Sequence, residues 1–190
     1  MNQQEPDLTS NLPSHDIVAS IEHWLDAMVI GQNLCPFANA ARRRNLVSIV
    51  VATGSSAEAC LQQLSDEAHR LADSEEERTT LLVLPRGFED FDDYLDLLAL
   101  AEALFEDLEF DGILQIASFH PEYQFEGTDR DDVSNWTNRA PYPILHLLRE
   151  DSVERAVAGH PDPDSIPQRN IDRLEQLGLE GVLKLLERDR

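Results

Sequence analysis

Apolar residues recur along the chain at two spacings, one typical of amphipathic helices and the other of buried strands. Helical spacing predicts three helices, at residues 14–30, 57–73 and 91–108. Between them lie short runs that are almost continuously apolar or β-branched, at residues 46–52, 79–84 and 113–119. Such runs are typical of strands covered on both faces. The predicted order is therefore helix, strand, helix, strand, helix, strand.

This alternation predicts a single α/β domain over residues 14–160, with a mainly parallel sheet flanked by helices, because each connection between strands contains a helix. The polar residues 1–13 are interpreted as a flexible tail. Residues 143–149 fit either a fourth strand or the start of a helix. Residues 161–190 are interpreted as a Pro/Asp-rich linker followed by a C-terminal helical hairpin, packed on the same domain.

A long polar loop, residues 120–142, follows the third predicted strand. It holds four aromatic residues and two prolines, which argues against disorder. Loops of this length in a compact domain are usually functional or disordered. This one begins at the carboxyl end of a predicted strand, where ligands bind in open α/β sheets. Its two ends can approach each other because the chain must return to Pro143.

The composition limits the classes of partner. The chain has 15 Lys and Arg against 37 Asp and Glu, a formal net charge of −22. This surface repels phosphate backbones and anionic lipid, so binding to nucleic acid or to a membrane surface is not expected. The sequence shows no secretion signal, and its two cysteines suit a reducing compartment. We therefore expect a cytoplasmic protein; the oligomeric state stays open.

His120 and Arg139 are the leading candidates for chemistry in the loop. His120 continues the face of the third strand and could act as a base, a metal ligand or an anion donor. Arg139 presents a planar fork suited to a carboxylate or phosphate. For each residue the alternative is structural. The imidazole would fix the loop by hydrogen bonds, and the guanidinium would pair with Asp131 or Asp132.

Five other residues complete the candidate site. Cys35 is either a nucleophilic thiolate or a small buried apolar residue. His146, in an apolar run, is either a ligand or a satisfied structural histidine. The candidate substrate-binding residues are Asn138, Arg149 and Tyr123, with Arg149 favoured as structural. No residue is assigned to a metal site, and the absence of the common phosphate and dinucleotide motifs leaves the cofactor open.

Several long motifs resemble one family. They are Asn-Leu-Cys-Pro-Phe at residues 33–37, Thr-Thr-Leu-Leu-Val at 79–83, Gln-Ile-Ala-Ser-Phe-His-Pro-Glu-Tyr-Gln-Phe at 115–125 and Pro-Ile-Leu-His-Leu-Leu-Arg-Glu at 143–150. With these motifs the chain resembles the domain of unknown function 1415 family, a group of uncharacterised bacterial proteins. The resemblance runs from about Trp24 to Val157. It implies no established activity, substrate or cofactor.

Three functional hypotheses remain. The first is a small-molecule enzyme that acts on an anionic substrate, with its reaction class open. The second is a non-catalytic binding or regulatory module that uses the aromatic loop at residues 119–143. The third is a divalent-metal-dependent hydrolase that uses His120 and His146. Titratable groups that converge in a concave pocket would favour an enzyme, whereas an exposed patch of aromatic side chains would favour the module.

Overall fold

The structure, a computed structural model, describes residues 14–187. The predicted tail at residues 1–13 lies outside this range. Within it the chain forms six α-helices: α1 (Ser14–Trp24), α2 (Ala38–Arg43), α3 (Ala57–Ala72), α4 (Phe91–Asp107), α5 (Glu150–Ala158) and α6 (Ile166–Leu186). The four strands are β1 (Val47–Val51), β2 (Thr79–Val83), β3 (Leu114–Phe119) and β4 (Ile144–Arg149). A π-helical segment, Leu25–Ile30, continues α1. No helix of residues 14–187 is long and apolar enough to cross a membrane.

The four strands form one mixed sheet in the order β1-β2-β4-β3. Only β1 and β2 pair in parallel, whereas β4 is antiparallel to both β2 and β3. The prediction of an α/β fold is confirmed, but the prediction of a mainly parallel sheet is wrong. The three strands predicted from apolar runs do point in one direction, because each neighbour of β4 opposes it. The long loop returns the chain at the edge where β3 ends, so β4 runs back between β2 and β3.

The sheet is covered on both faces, which explains why its central strands are so apolar. On one face, Leu82, Leu145 and Leu147 pack against α3 and α4 in the first core cluster. On the other, Leu81 and Ile144 pack with the second cluster, which α1, the π-helical segment and α6 complete. Alternate residues of β2 and β4 therefore serve opposite cores.

The C-terminal region packs as part of the second core. Leu174 and Val182 of α6 are fully buried in the cluster that also contains α1. Helical structure runs from Ile166 to Leu186 with a kink at Gly178, where φ is 63° and ψ is 170°. Two helical segments therefore meet at Gly178 without a loop between them; the predicted hairpin arrangement of these segments stays a prediction. Glycine populates this left-handed conformation without the steric cost that a Cβ would add.

The connections after β1 and β2 touch at Gly87, and this contact supplies a stability test. Gly87 has a φ of 92°, and a Cβ added there would overlap the carbonyl oxygen of Ser55. Gly112 also has a positive φ, of 76°, but an added Cβ would meet no atom of the described residues within 4 Å. We expect Gly112→Ala to lower the free energy of unfolding by about 1 kcal/mol from backbone strain alone.

Gly87→Ala should lower the free energy of unfolding by roughly 1–3 kcal/mol more than Gly112→Ala, because the added Cβ also overlaps the carbonyl oxygen of Ser55. Urea unfolding of the two variants measures the difference as a shift of midpoint at constant slope. Equal losses in both variants would show that the approach of the two connections is not tight.

Candidate functional site

The two ends of the long loop are held together beside the end of β3. The backbone N–H of His120 donates to the carbonyl oxygen of Asn138 over 3.2 Å. The side-chain amide of Asn138 donates to the carbonyl oxygen of Ser118 over 3.1 Å. Asn138 therefore joins the returning chain to the end of β3, and β4 begins six residues later at Ile144.

The imidazole of His120 is completely buried and both of its nitrogens are engaged. Nδ1 accepts the backbone N–H of Glu122 over 3.0 Å. Nδ1 is therefore unprotonated, and we assign the ring hydrogen to Nε2, which lies 3.0 Å from the carbonyl oxygen of Phe88. Burial lowers the pKa of His120. The neutral ring joins the loop to the connection between β2 and α4, with no nitrogen left for a ligand.

Aromatic rings enclose His120 on the α4 side of the sheet. The ring centroids of Phe91 and Tyr94 each lie 5.1 Å from that of the imidazole. The Tyr94 hydroxyl donates to the carbonyl oxygen of Ile144 over 2.8 Å, and burial raises the pKa of this phenol. Tyr123 adds a further ring, 5.3 Å from that of Phe91. The loop is thereby packed onto the first turn of α4.

Arg139 uses its guanidinium to hold the loop's own backbone. Nε donates to the carbonyl oxygen of Tyr123 over 3.0 Å, and Nη2 to that of Arg130 over 2.7 Å. The guanidinium carbon lies 5.4 Å from the centroid of Trp136. Burial lowers the pKa of Arg139. Arg139 therefore holds the loop, as the structural alternative predicted, but its acceptors are backbone carbonyl oxygens and not the carboxylates of Asp131 or Asp132.

Asn135 organises the middle of the loop, although sequence reasoning did not single it out. It is completely buried. Its Oδ1 accepts the backbone N–H of Phe125 over 3.0 Å and the hydroxyl of Thr128 over 2.9 Å, while Nδ2 donates to the carbonyl oxygen of Asp129 over 2.9 Å. The sequence could have pointed to this role, because a long loop with a buried backbone needs side chains that both donate and accept hydrogen bonds, as an amide does.

His146 lies on the opposite face of the sheet from His120. It pairs with Ala117 and Leu81 across the sheet, and its ring centroid is 6.2 Å from that of Phe119. The Thr79 hydroxyl donates to the carbonyl oxygen of Leu147, so it accepts the Nε2 hydrogen of His146 over 2.6 Å. Burial lowers the pKa of His146 to about 4.

A metal site that joins His120 and His146 has no support in this geometry, because the sheet separates the two rings. Among residues 14–187, no group of three or more His, Cys, Asp or Glu is arranged to hold a metal ion.

Cys35 and Arg149 form no hydrogen bond or ion pair with the candidate residues of the long loop. Cys35 is partly buried against the second core. Arg149 lies at the far end of β4, where Nη1 donates to the carbonyl oxygens of Leu71 and Ser74 over 2.8 and 2.9 Å and so caps the end of α3. The structure therefore brings together four of the seven candidates: His120, Tyr123, Asn138 and Arg139.

A polar cleft of about 300 Å³ lies elsewhere, between the turn after the π-helical segment and α6. The side chain of Arg169 makes no hydrogen bond or ion pair with any described residue. Arg173 donates from Nε and Nη2 to Oε1 of Gln32, over 3.1 and 2.6 Å. Seven residues line the cleft: Gln32, Asn33, Arg169, Asn170, Asp172, Arg173 and Gln176.

Sequence reasoning missed this cleft. Arginines at positions 169 and 173 are four residues apart and so share one face of a helix. In so acidic a chain, two arginines on one helix face could have indicated an anion-binding surface. Residues 32 and 33, which face this helix, are distant in sequence, and no pattern there indicated that they line the cleft.

Comparison with known families gives a match over most of the chain. The family model described as "Protein of unknown function (DUF1415)" matches residues 16–184 of the 190-residue chain. The chain therefore belongs to this family, as its motifs indicate. Comparison with curated proteins and with solved structures gives no match.

His120 should contribute to stability through its two hydrogen bonds and its ring contacts. We expect His120→Ala to lower the free energy of unfolding by about 2–4 kcal/mol, since it leaves a cavity and an unpaired carbonyl oxygen. His15→Ala is the control, because that side chain is 90 % exposed. This substitution should lower the free energy of unfolding by less than about 0.5 kcal/mol. Similar denaturation midpoints for the two variants would contradict the clamping role.

His146 should make stability depend on pH between its ordinary and its native pKa. The unfolded chain binds a proton near pH 6.5, whereas the folded chain resists it until about pH 4. The contribution of His146 is therefore complete above pH 6.5 and declines as the pH falls toward 4. His146→Gln retains an N–H for Thr79 but does not titrate.

The free-energy difference between wild type and His146→Gln, measured by urea unfolding at several pH values, should shrink across this window. A difference that stays constant from pH 7 to 4 would contradict the assignment.

Proposed function

We propose that this member of the DUF1415 family binds a small anionic molecule in the cleft between residues 32–33 and α6. The supporting observation is the Arg169 side chain, which lies in the cleft without a partner among the described residues. The chain carries 37 carboxylates against 15 basic residues, so nearby acceptors are abundant. Arg42, Arg44 and Arg155 each form ion pairs within 3.4 Å. Arg43 also has no partner among the described residues, but unlike Arg169 it does not line the cleft.

The cleft offers the groups that an anion needs. None of the five guanidinium donors of Arg169 is bonded to a residue in the range 14–187, and a guanidinium binds a carboxylate or phosphate through two parallel bonds. Arg173 has donors left beyond those bonded to Gln32. A cationic concavity on an otherwise acidic surface concentrates anions locally. The volume of about 300 Å³ corresponds to a small molecule.

The loop cluster gives less support for a reaction centre. General acid–base catalysis needs a nitrogen within reach of the substrate's proton, whereas both nitrogens of His120 bond to the protein. Two nitrogens of Arg139 likewise bond to carbonyl oxygens. We therefore favour a scaffold role for residues 120–143 and leave open whether the bound anion reacts.

The alternative of a module that uses the aromatic loop is also less favoured. Tyr123 and Phe125 pack on each other with ring centroids 5.0 Å apart, and Trp136 packs with the second core. Each of these side chains is partly buried. They therefore serve the packing of the loop more than they provide an open apolar surface.

Binding of glutarate, a dicarboxylate, tests the proposal. Calorimetric titration at low ionic strength should detect saturable binding to the wild type. Arg169→Ala should weaken it at least tenfold, because a charged hydrogen bond contributes roughly 1.5–3 kcal/mol. Arg43→Ala is the matched control, since Arg43 is exposed on α2 and its loss changes the net charge equally. Loss of binding in both variants would indicate non-specific attraction, and no binding to wild type would overturn the proposal.

A further inference from the structure

One carboxylate lies in the cleft between its two arginines. Asp172 lies three residues after Arg169 and directly before Arg173 on α6, and it lines the same cleft. It forms no ion pair within 4.0 Å with any described residue. Its Oδ1 accepts an N–H of Gln168 over 2.8 Å. The second oxygen, Oδ2, has no partner among these residues, so the cleft presents a negative group as well as two positive ones.

This carboxylate restricts the ligand that the cleft suits. A molecule with negative charge only would approach Asp172 as well as the arginines, and like charges in contact oppose binding. A molecule that also carries an ammonium group would place that group on Asp172 and its acid groups on the arginines. The cleft has two guanidinium groups for one carboxylate, a ratio that matches two acids and one ammonium.

Both walls of the cleft add neutral polar groups. The side chains of Asn33 and Gln176 make no hydrogen bond with any described residue. Amides both donate and accept, so they can bind either type of ligand group. Asn170 is 7 % exposed, and its Nδ2 donates to the carbonyl oxygen of Leu34 over 2.9 Å. This bond ties the two walls together at the base of the cleft and fixes their separation.

We infer that the cleft binds an acidic α-amino acid, with Asp172 on the ammonium group and Arg169 and Arg173 on the two carboxylates. The inference rests on the proposed function and specifies its ligand class. It predicts discrimination between two molecules of the same length, because glutarate is glutamate without the amino group.

Calorimetric titration with L-glutamate and glutarate tests the inference. The wild type should bind L-glutamate about fivefold more tightly, the effect of one exposed charge pair. Asp172→Asn should abolish or reverse this preference by weakening glutamate and strengthening glutarate. Asp96→Asn is the control, because Asp96 is exposed on α4 and its substitution removes the same charge; it should keep the preference.

The outcomes separate the two proposals. If glutarate does not bind to the wild type, the proposed function fails and this inference fails with it. If glutarate binds and Arg169→Ala weakens it, but glutamate is no tighter, the anion site stands and the zwitterion assignment is wrong. A glutamate preference that survives in Asp172→Asn, or is lost equally in Asp96→Asn, also overturns the assignment.

Discussion

The fold depends on how the long loop closes, because that closure puts β4 inside the sheet. β4 pairs with β2 on one side and β3 on the other, and its side chains contribute to both cores. Without β4, β3 would have no hydrogen-bonded neighbour in the sheet. The bonds that join Asn138 to His120 and to Ser118 fix the point at which the chain turns back. The central strand is therefore positioned by groups that lie outside the sheet.

This role explains why candidate catalytic residues and structural residues were hard to tell apart in the sequence. A loop packed against a core must give each buried carbonyl oxygen and N–H a partner. Imidazole, carboxamide and guanidinium are suited to that task, and they are also the groups that active sites use. His120, Asn135 and Arg139 satisfy loop backbone, as their contacts show. Their types indicated a special loop without indicating whether its function was chemical or structural.

The sequence predicted local structure well and strand pairing poorly. Helix α4 was predicted over 91–108 and runs Phe91–Asp107, because its signal lies in contiguous residues. The direction of β4 depends on where a distant loop returns, and no local pattern encodes that. The same limit applies to the sites. His120 was placed correctly on the face of Leu114, but the cleft needs residues 32 and 169 together, which are 137 positions apart.

The charge pattern connects the cleft to the packing of the C-terminal helix. Most of the described arginines of this acidic chain already bind a partner. Arg149 donates to carbonyl oxygens at the end of α3, and Arg42 pairs with Glu22 of α1 and Asp26 of the π-helical segment. Residues 32–34 and α6 are joined by the bonds from Arg173 and Asn170. A ligand held by Arg169 on one wall and by Asn33 on the other would add a third connection. Because a ligand that binds only the folded state stabilises it, occupancy of the cleft should also strengthen the attachment of α6 to the second core.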